Sequence, residues 1–424
     1  MTRWIEADKV AQQLQPGMTV FVAGATAEPG TILDALRRNP VCCAGVHFVS
    51  VSIPGMNNVD FSALHEECTS TDFFATLGNR DAIASNSVDF LPMQYRSIFD
   101  YLSRDRKFDV VLAQLPAFGN DENFSLGLCA DFLPAVLDKA KLLIAEINKQ
   151  QPLPIDSPAW PVSRIDLAIE CDSPVNTVVA VAIDQAAVDI GRHVAEIIRD
   201  GDCLQVGIGG VPNAILAELR NKCDLGIHSG MISDGVMTLA MAGNINGKNK
   251  QIDTGRIVTG TTLGSRGLID WAGNDPQLSI RPVSYTHDVG VIRELDQFVS
   301  INSALQVDLF GQVNGDMLNG RQHSGTGGSV DMMRAAKLSR GGRSIIALKA
   351  TASGGKASRI VSALPQNTAA TILRTDVDYF VTEFGARRIG QLPVKQRADA
   401  LIEIAAPQFQ EQLKEEWERL SAVG

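Results

Sequence analysis

No block of lysines and arginines occurs anywhere in the 424 residues, and the formal net charge is -10. A chain that tracks nucleic-acid phosphates needs such a block, so that class of partner is excluded. A phosphorylated small molecule is not, because a few basic groups and backbone amides can converge locally on an acidic protein. No apolar run approaches the length of a membrane span. The opening Met1–Asp8 has neither an apolar core nor a cleavage site, so export is not expected and a cytoplasmic location is. The seven cysteines are odd in number and never spaced C-x-x-C, and the six histidines show no paired ligand spacing. These absences exclude a disulfide frame and point to no metal site. Low-complexity segments and coiled-coil heptads are absent too.

What is present reads as α/β. Hydrophobic residues make up 45% of the chain, and 37 glycines supply many tight strand-to-helix turns. The length predicts two domains of roughly 200 residues each. An internal repeat supports this. Val10-Ala11, Leu14, Gly17 and Val22 recur 184 positions later as Val194-Ala195, Ile198, Gly201 and Val206. Beyond a one-residue deletion in the turn, Pro29, Ile32, Leu33, Leu36 and Arg37 match Pro212, Ile215, Leu216, Leu219 and Arg220. Each copy reads as helix, glycine, apolar strand, small-residue turn and a helix opened by proline. Further apolar runs at 46–51, 110–115, 141–147, 256–261, 345–349 and 379–382 predict mostly parallel sheets covered on both faces. The turn-rich 171–176 places the boundary between domains 1–175 and 176–424.

Two glycine clusters are candidate ligand sites. Gly207, Gly209 and Gly210 lie in Val206–Pro212, where a backbone without Cβ atoms and a helix start suit an anion or oxyanion. No Gly-Lys-Ser/Thr follows, and no third glycine completes G-x-G-x-x-G; a close-packed turn is the plain alternative. The second cluster, Ser324–Asp331, contains Thr326, Gly327 and Gly328. Before it, Gln306, Asp308, Gln312 and Asn314 alternate with apolar residues, which predicts a polar strand face lining a pocket or meeting solvent.

Four stretches together resemble the acetyl-CoA hydrolase/transferase family, in its 4-hydroxybutyrate and butyrate CoA-transferase branch. They are LQVGIGGVPNAIL at 204–216, LGIHSGMISDGV at 225–236, INSALQVDLFGQVN with RQHSGTGGSVD at 301–331, and RTDVDYFVTEFGARRIGQLPVKQRADALIEIAAPQF at 374–409. The first half matches more weakly, best at 22–36 and 90–98. The resemblance implies two open α/β sheet domains with the active site between them, and a homo-oligomer. It also implies coenzyme A or acyl-CoA as a substrate, with no permanently bound cofactor. In the family a glutamate attacks the thioester to form an acyl-glutamyl anhydride, which CoA thiolate converts to a glutamyl thioester. Such chemistry needs a nucleophilic carboxylate and oxyanion-stabilising amides. The two glycine clusters resemble the amide-donating and pantetheine-lining segments.

The chain departs from this pattern at the nucleophile. Where the family reads G-I-H-T-E-M, this sequence reads Gly226-Ile227-His228-Ser229-Gly230-Met231. Glu28, in the first copy of the repeated turn, is the first candidate for a replacement carboxylate; a carboxylate stabilised by the helix N-terminus is its plain alternative. Glu66 and Glu67 are weaker candidates. Other readings are a thioesterase with His228 or a carboxylate as base, a CoA-binding protein without chemistry, and a transferase branch with different acids such as itaconate. Ser229 and His228 cannot pair, because neighbours on a strand point to opposite faces. Glu383 ends an apolar strand, so it could face the cleft; a buried structural carboxylate near Arg387 and Arg388 is the plain alternative.

Overall fold

The structure, a computed structural model, describes residues 2–118, 122–178 and 181–422. It divides into two compact units. The first comprises 1–179, 258–286 and 322–327; the second comprises 180–257, 287–321 and 328–424.

Eight strands make the sheet of the first unit. Their order is Arg3–Trp4, Leu167–Cys171, Leu142–Asn148, Val110–Pro116, Thr19–Val22, His47–Ser50, Thr69–Asp72 and Val88–Phe90. Every pairing is parallel. All seven residues of Val110–Pro116 are buried, as expected of a parallel strand covered on both faces. Helix Gly30–Arg38 buries Ile32, Leu33, Ala35 and Leu36, while Arg37 and Arg38 sit favourably in its last turn. Its apolar side joins Val20, Val22, Phe48, Leu112 and Ile144 in one core.

In the second unit, Gly226–His228, Cys203–Val206, Phe298–Asn302, Arg343–Ala347, Tyr379–Thr382 and Gly385–Arg388 lie side by side in that order. All are parallel except the last, which pairs antiparallel. Helix Gln185–Ile197 starts at Asp184, whose carboxylate accepts from the Ala187 amide at 3.0 Å. Helices Val394–Glu403 and Pro407–Ala422 bury Leu401, Leu413 and Trp417 against Val307, Val313 and Phe380.

The repeat is visible in the backbone. Gly17 and Gly201 both adopt left-handed φ, +85° and +81°, at the turn before the equivalent strands. The expected helix before Gly17 is instead a 3-10 turn over Ala7–Gln13. The expected polar strand over 306–314 is a hairpin. Gln306–Asp308 pairs antiparallel with Val313–Asn314, and the chain reverses at Gly311 with φ +88°. The Asp308 carboxylate accepts from the Phe310 and Gln312 amides, and Asn314 donates to Gln306 and the Met317 carbonyl. These polar groups serve the hairpin itself. Among the described residues no helix is long and apolar enough to cross a membrane.

Asp72 ends strand Thr69–Asp72 in complete burial. Desolvation pushes its carboxyl up to about 8, against hydrogen bonds from Asn79 and Ser52. The folded chain therefore holds a proton that an unfolded chain releases near the ordinary carboxyl value of 3.8, and stability falls as pH rises from there through about 8. In Asp72→Asn the carboxamide oxygen still accepts from Asn79 and its nitrogen donates to Ser52. We expect melting temperatures measured across this range to decline less steeply in the variant. An unchanged slope would show that Asp72 does not titrate in the folded protein.

Candidate active site

Each sheet has one place where its strand order reverses direction around a central strand. Thr19–Val22 has His47–Ser50 on one side and Val110–Pro116 on the other. Cys203–Val206 likewise stands between Gly226–His228 and Phe298–Asn302. Loops leaving the carboxyl ends of such strands form the crevice where open α/β sheets bind ligands. The two repeated turns, 23–29 and 207–211, are those loops.

In the second unit, Gly207 donates its amide to the Ile301 carbonyl at 3.2 Å, which keeps the turn beside the neighbouring strand end. Gly209 then adopts φ 112°, ψ -175°, a conformation open essentially to glycine alone. It caps helix Gly210–Glu218, and no side chain caps that helix start. Gly207–Val211 are all half-buried. A half-exposed helix start without a side-chain cap is a concave set of donors with a partial positive charge.

In the first unit the equivalent turn is held from outside. The Asn57 amide oxygen accepts from Ala25 at 2.8 Å and from Ile53 at 3.0 Å, and Ala25 takes φ +50°. A Cβ on Gly24 would collide with the Val51 carbonyl. Glu28 follows, half-buried, with its carboxylate accepting from Asn176 Nδ2 at 3.1 Å. Burial raises its pKa. Hydrogen bonds from Asn57 and Asn176, and the Arg37 charge, oppose this, while the nearby Glu146 adds to it. The carboxylate that serves the helix start is Glu146, which accepts from the Ile32 amide at 3.1 Å. Glu28 stands one residue before Pro29, where that helix begins.

Two buried groups beside this turn had no motif to announce them. Asp131 and Cys129 line a small cavity with Gly24, Ala25 and Phe132. Burial pushes the Asp131 carboxyl up to about 7, with a hydrogen bond from Cys129 opposing it.

The loop with the second glycine cluster is shared between the units. Thr326 and Gly327 belong to the first and Gly328 to the second. The Ser324 carbonyl accepts from Ala75, and the Gly327 carbonyl accepts from Tyr95, both at 3.2 Å. A Cβ on Gly325 would strike the Phe73 carbonyl, so this close approach requires glycine. Gly327 is left-handed with φ +64°.

Gly230 lies just past strand Gly226–His228, whose three residues are all buried. The Lys250 ammonium, itself 4% exposed, holds the Ile227 carbonyl at 3.1 Å and the Arg256 carbonyl at 2.9 Å. His228 is fully buried, edge-on to Phe298 at 6.5 Å between ring centroids. Ser229 is 2% exposed and receives the Met231 amide at 3.4 Å. What faces Gly230 is the imidazole of His287, a residue in none of the sequence motifs. Glu383 accepts from the Ala350 amide at 2.8 Å and lies beside Arg359, whereas Arg387 pairs with Glu403. Its partners differ from those expected.

Among the described residues no group of three or more His, Cys, Asp or Glu side chains could hold a metal. The second unit offers a switch-point turn with an unprotected helix start, whose amides suit an oxyanion. The first unit offers its own switch-point turn and, in Glu28, a carboxyl that can hold a proton.

Residues 264–417 match the acetyl-CoA hydrolase/transferase C-terminal domain. The chain is 36% identical over 416 residues to the 4-hydroxybutyrate coenzyme A transferase of Clostridium kluyveri, covering 98% of this chain and 97% of that one. It is 35% identical over 341 residues to the butyryl-CoA:acetate CoA-transferase of Anaerostipes caccae, covering 78% and 74%. The crystal structure of a 4-hydroxybutyrate CoA-transferase from Porphyromonas gingivalis superposes with a TM-score of 0.81 at 32% identity, over 98% of this chain and 97% of the other. An open α/β sheet protein with a glycine-lined helix start at its switch point is thus placed by its relatives among enzymes of CoA chemistry. The chain belongs to the acetyl-CoA hydrolase/transferase family, among its CoA-transferases.

Proposed function

We propose that this protein moves coenzyme A between a small acyl-CoA and a carboxylic acid, in the cytoplasm and as a homo-oligomer. The observation that carries the reading is the Gly207–Gly210 turn, which brings bare backbone to an uncapped helix start at the sheet's switch point. We assign Gly207, Gly209 and Gly210, with Thr326, Gly327 and Gly328, to contacts with CoA, which binds as substrate. Glu28 is assigned as the catalytic carboxyl of the first unit.

Incubating the full chain with butyryl-CoA, with and without acetate, 4-hydroxybutyrate or itaconate, tests the reading. We expect new thioester only when an acid is supplied. Free thiol released without acceptor would make the protein a thioesterase, and neither product across the panel would leave a CoA-binding protein without chemistry.

The glycine assignment has its own test. At φ 112°, a side chain at 209 costs about 1–3 kcal/mol of backbone strain. Relief of that strain moves the turn, so Gly209→Ala should weaken CoA binding about tenfold or more by calorimetry. Unchanged affinity would remove the turn from the CoA site.

A further inference from the structure

Two glycines distant in sequence, Gly230 and Gly328, face one ring. A Cβ built on Gly230 would lie 2.7 Å from His287 Nε2 and closer still to Cε1. One built on Gly328 would collide with Nε2 and Cδ2 of the same imidazole. His287 is 3% exposed, and burial holds its pKa down at about 3, so the ring is a neutral, packed body. All three residues belong to the second unit. Position 230 therefore has more than a missing side chain: the volume where one would emerge is already filled.

Exchange of CoA between two acyl groups still needs a carboxylate to convert the thioester into an anhydride. With no side chain at 230 and its space closed, a carboxylate guaranteed to be present in every productive complex is the acceptor acid itself. We propose that His287 has replaced the side chain at position 230, and that the acceptor carboxylate attacks the thioester directly within a ternary complex, so that no acyl or CoA group is ever bonded to the protein. This rests on the transferase reading above.

The steps balance. An acceptor carboxylate oxygen bonds to the acyl carbon, the C–S bond breaks, and a mixed anhydride forms while CoA leaves as thiolate. The thiolate sulfur then attacks the acceptor carbonyl. The bond from that carbonyl to the bridging oxygen breaks, releasing the donor acid and the new thioester. The oxygen that bridged the anhydride began on the acceptor and ends on the released acid.

That oxygen is the test. In a single turnover of the full chain with butyryl-CoA and 18O-labelled acetate, we expect 18O in the released butyrate, and no butyrate release before acetate is added. A protein carboxylate as nucleophile would release one unlabelled butyrate per chain without acetate, which would overturn the proposal while leaving the transferase reading intact. Failure to form any new thioester would sink the transferase reading, and the proposal with it. The steric half is tested separately. Gly230→Glu alone should gain no such burst, whereas a folded Gly230→Glu/His287→Ala double variant should release unlabelled butyrate ahead of acetate. A burst from Gly230→Glu alone would show that His287 does not close the position.

Discussion

Glu28→Gln is expected to lower kcat by about 10²–10⁴-fold while leaving the affinity for CoA unchanged, the range that a positioned acid–base group contributes. Glutamine keeps the shape of the side chain and an oxygen to accept from Asn176, so the turn has no cause to rearrange. It cannot carry or release a proton. The raised pKa sets the sign of the pH effect. If the assigned Glu28 carboxyl protonates the departing thiolate, the wild-type rate should fall as pH rises through the Glu28 value, which lies above the ordinary 4.5. That alkaline limb should be missing from the residual activity of the variant. A purely structural Glu28 would instead leave kcat and the shape of the pH profile alone and move the melting temperature.

Arg343→Met should produce the largest loss of stability. Its guanidinium pairs with Asp202, and the two side chains are 7% and 0% exposed. Asp202 also accepts from the Arg199 amide at 2.7 Å, so the carboxylate cannot withdraw to solvent without opening a turn. Removing the arginine leaves an uncompensated buried charge, worth about 3–5 kcal/mol. Burial already outweighs the arginine and holds the Asp202 pKa above its usual value. Without Arg343 it rises further, so the variant should be weakest at alkaline pH and partly recover as the carboxyl is protonated. Urea denaturation at two pH values reads this as a shift in midpoint at constant slope. Adding Asp202→Asn should restore most of the loss, because a neutral amide needs no counter-charge. If the single variant lost less than about 1 kcal/mol, the pair would be behaving like an exposed one.

Much of the fold is legible in local sequence because it depends on local chemistry. The runs at 110–115 and 379–382 appear as strands Val110–Pro116 and Tyr379–Thr382, since a strand covered on both faces must be apolar throughout. The duplicated helix–glycine–strand grammar reappears as matching left-handed glycines at 17 and 201. Alternation misled at 306–314, where period-two polarity is equally compatible with a tight hairpin; the glycine at 311 was the mark of reversal. Glu28 was legible as a carboxylate in the repeated turn. Its partners were not, because Asn57 and Asn176 come from separate, non-adjacent segments.

By itself, then, the sequence determined the two α/β sheets, the glycine turn that leads into an uncapped helix, and the absence of a carboxylate at 230. Periodicity, backbone freedom and residue identity are properties that short stretches carry alone. Tertiary structure decided that segments 258–286 and 322–327 pack with the first unit, that Glu146 accepts from the Ile32 amide at the helix start, and that His287 occupies the space beside Gly230. Those are matters of volume and of unpaired donors, settled between residues tens or hundreds of positions apart, and only a folded chain brings them to one place.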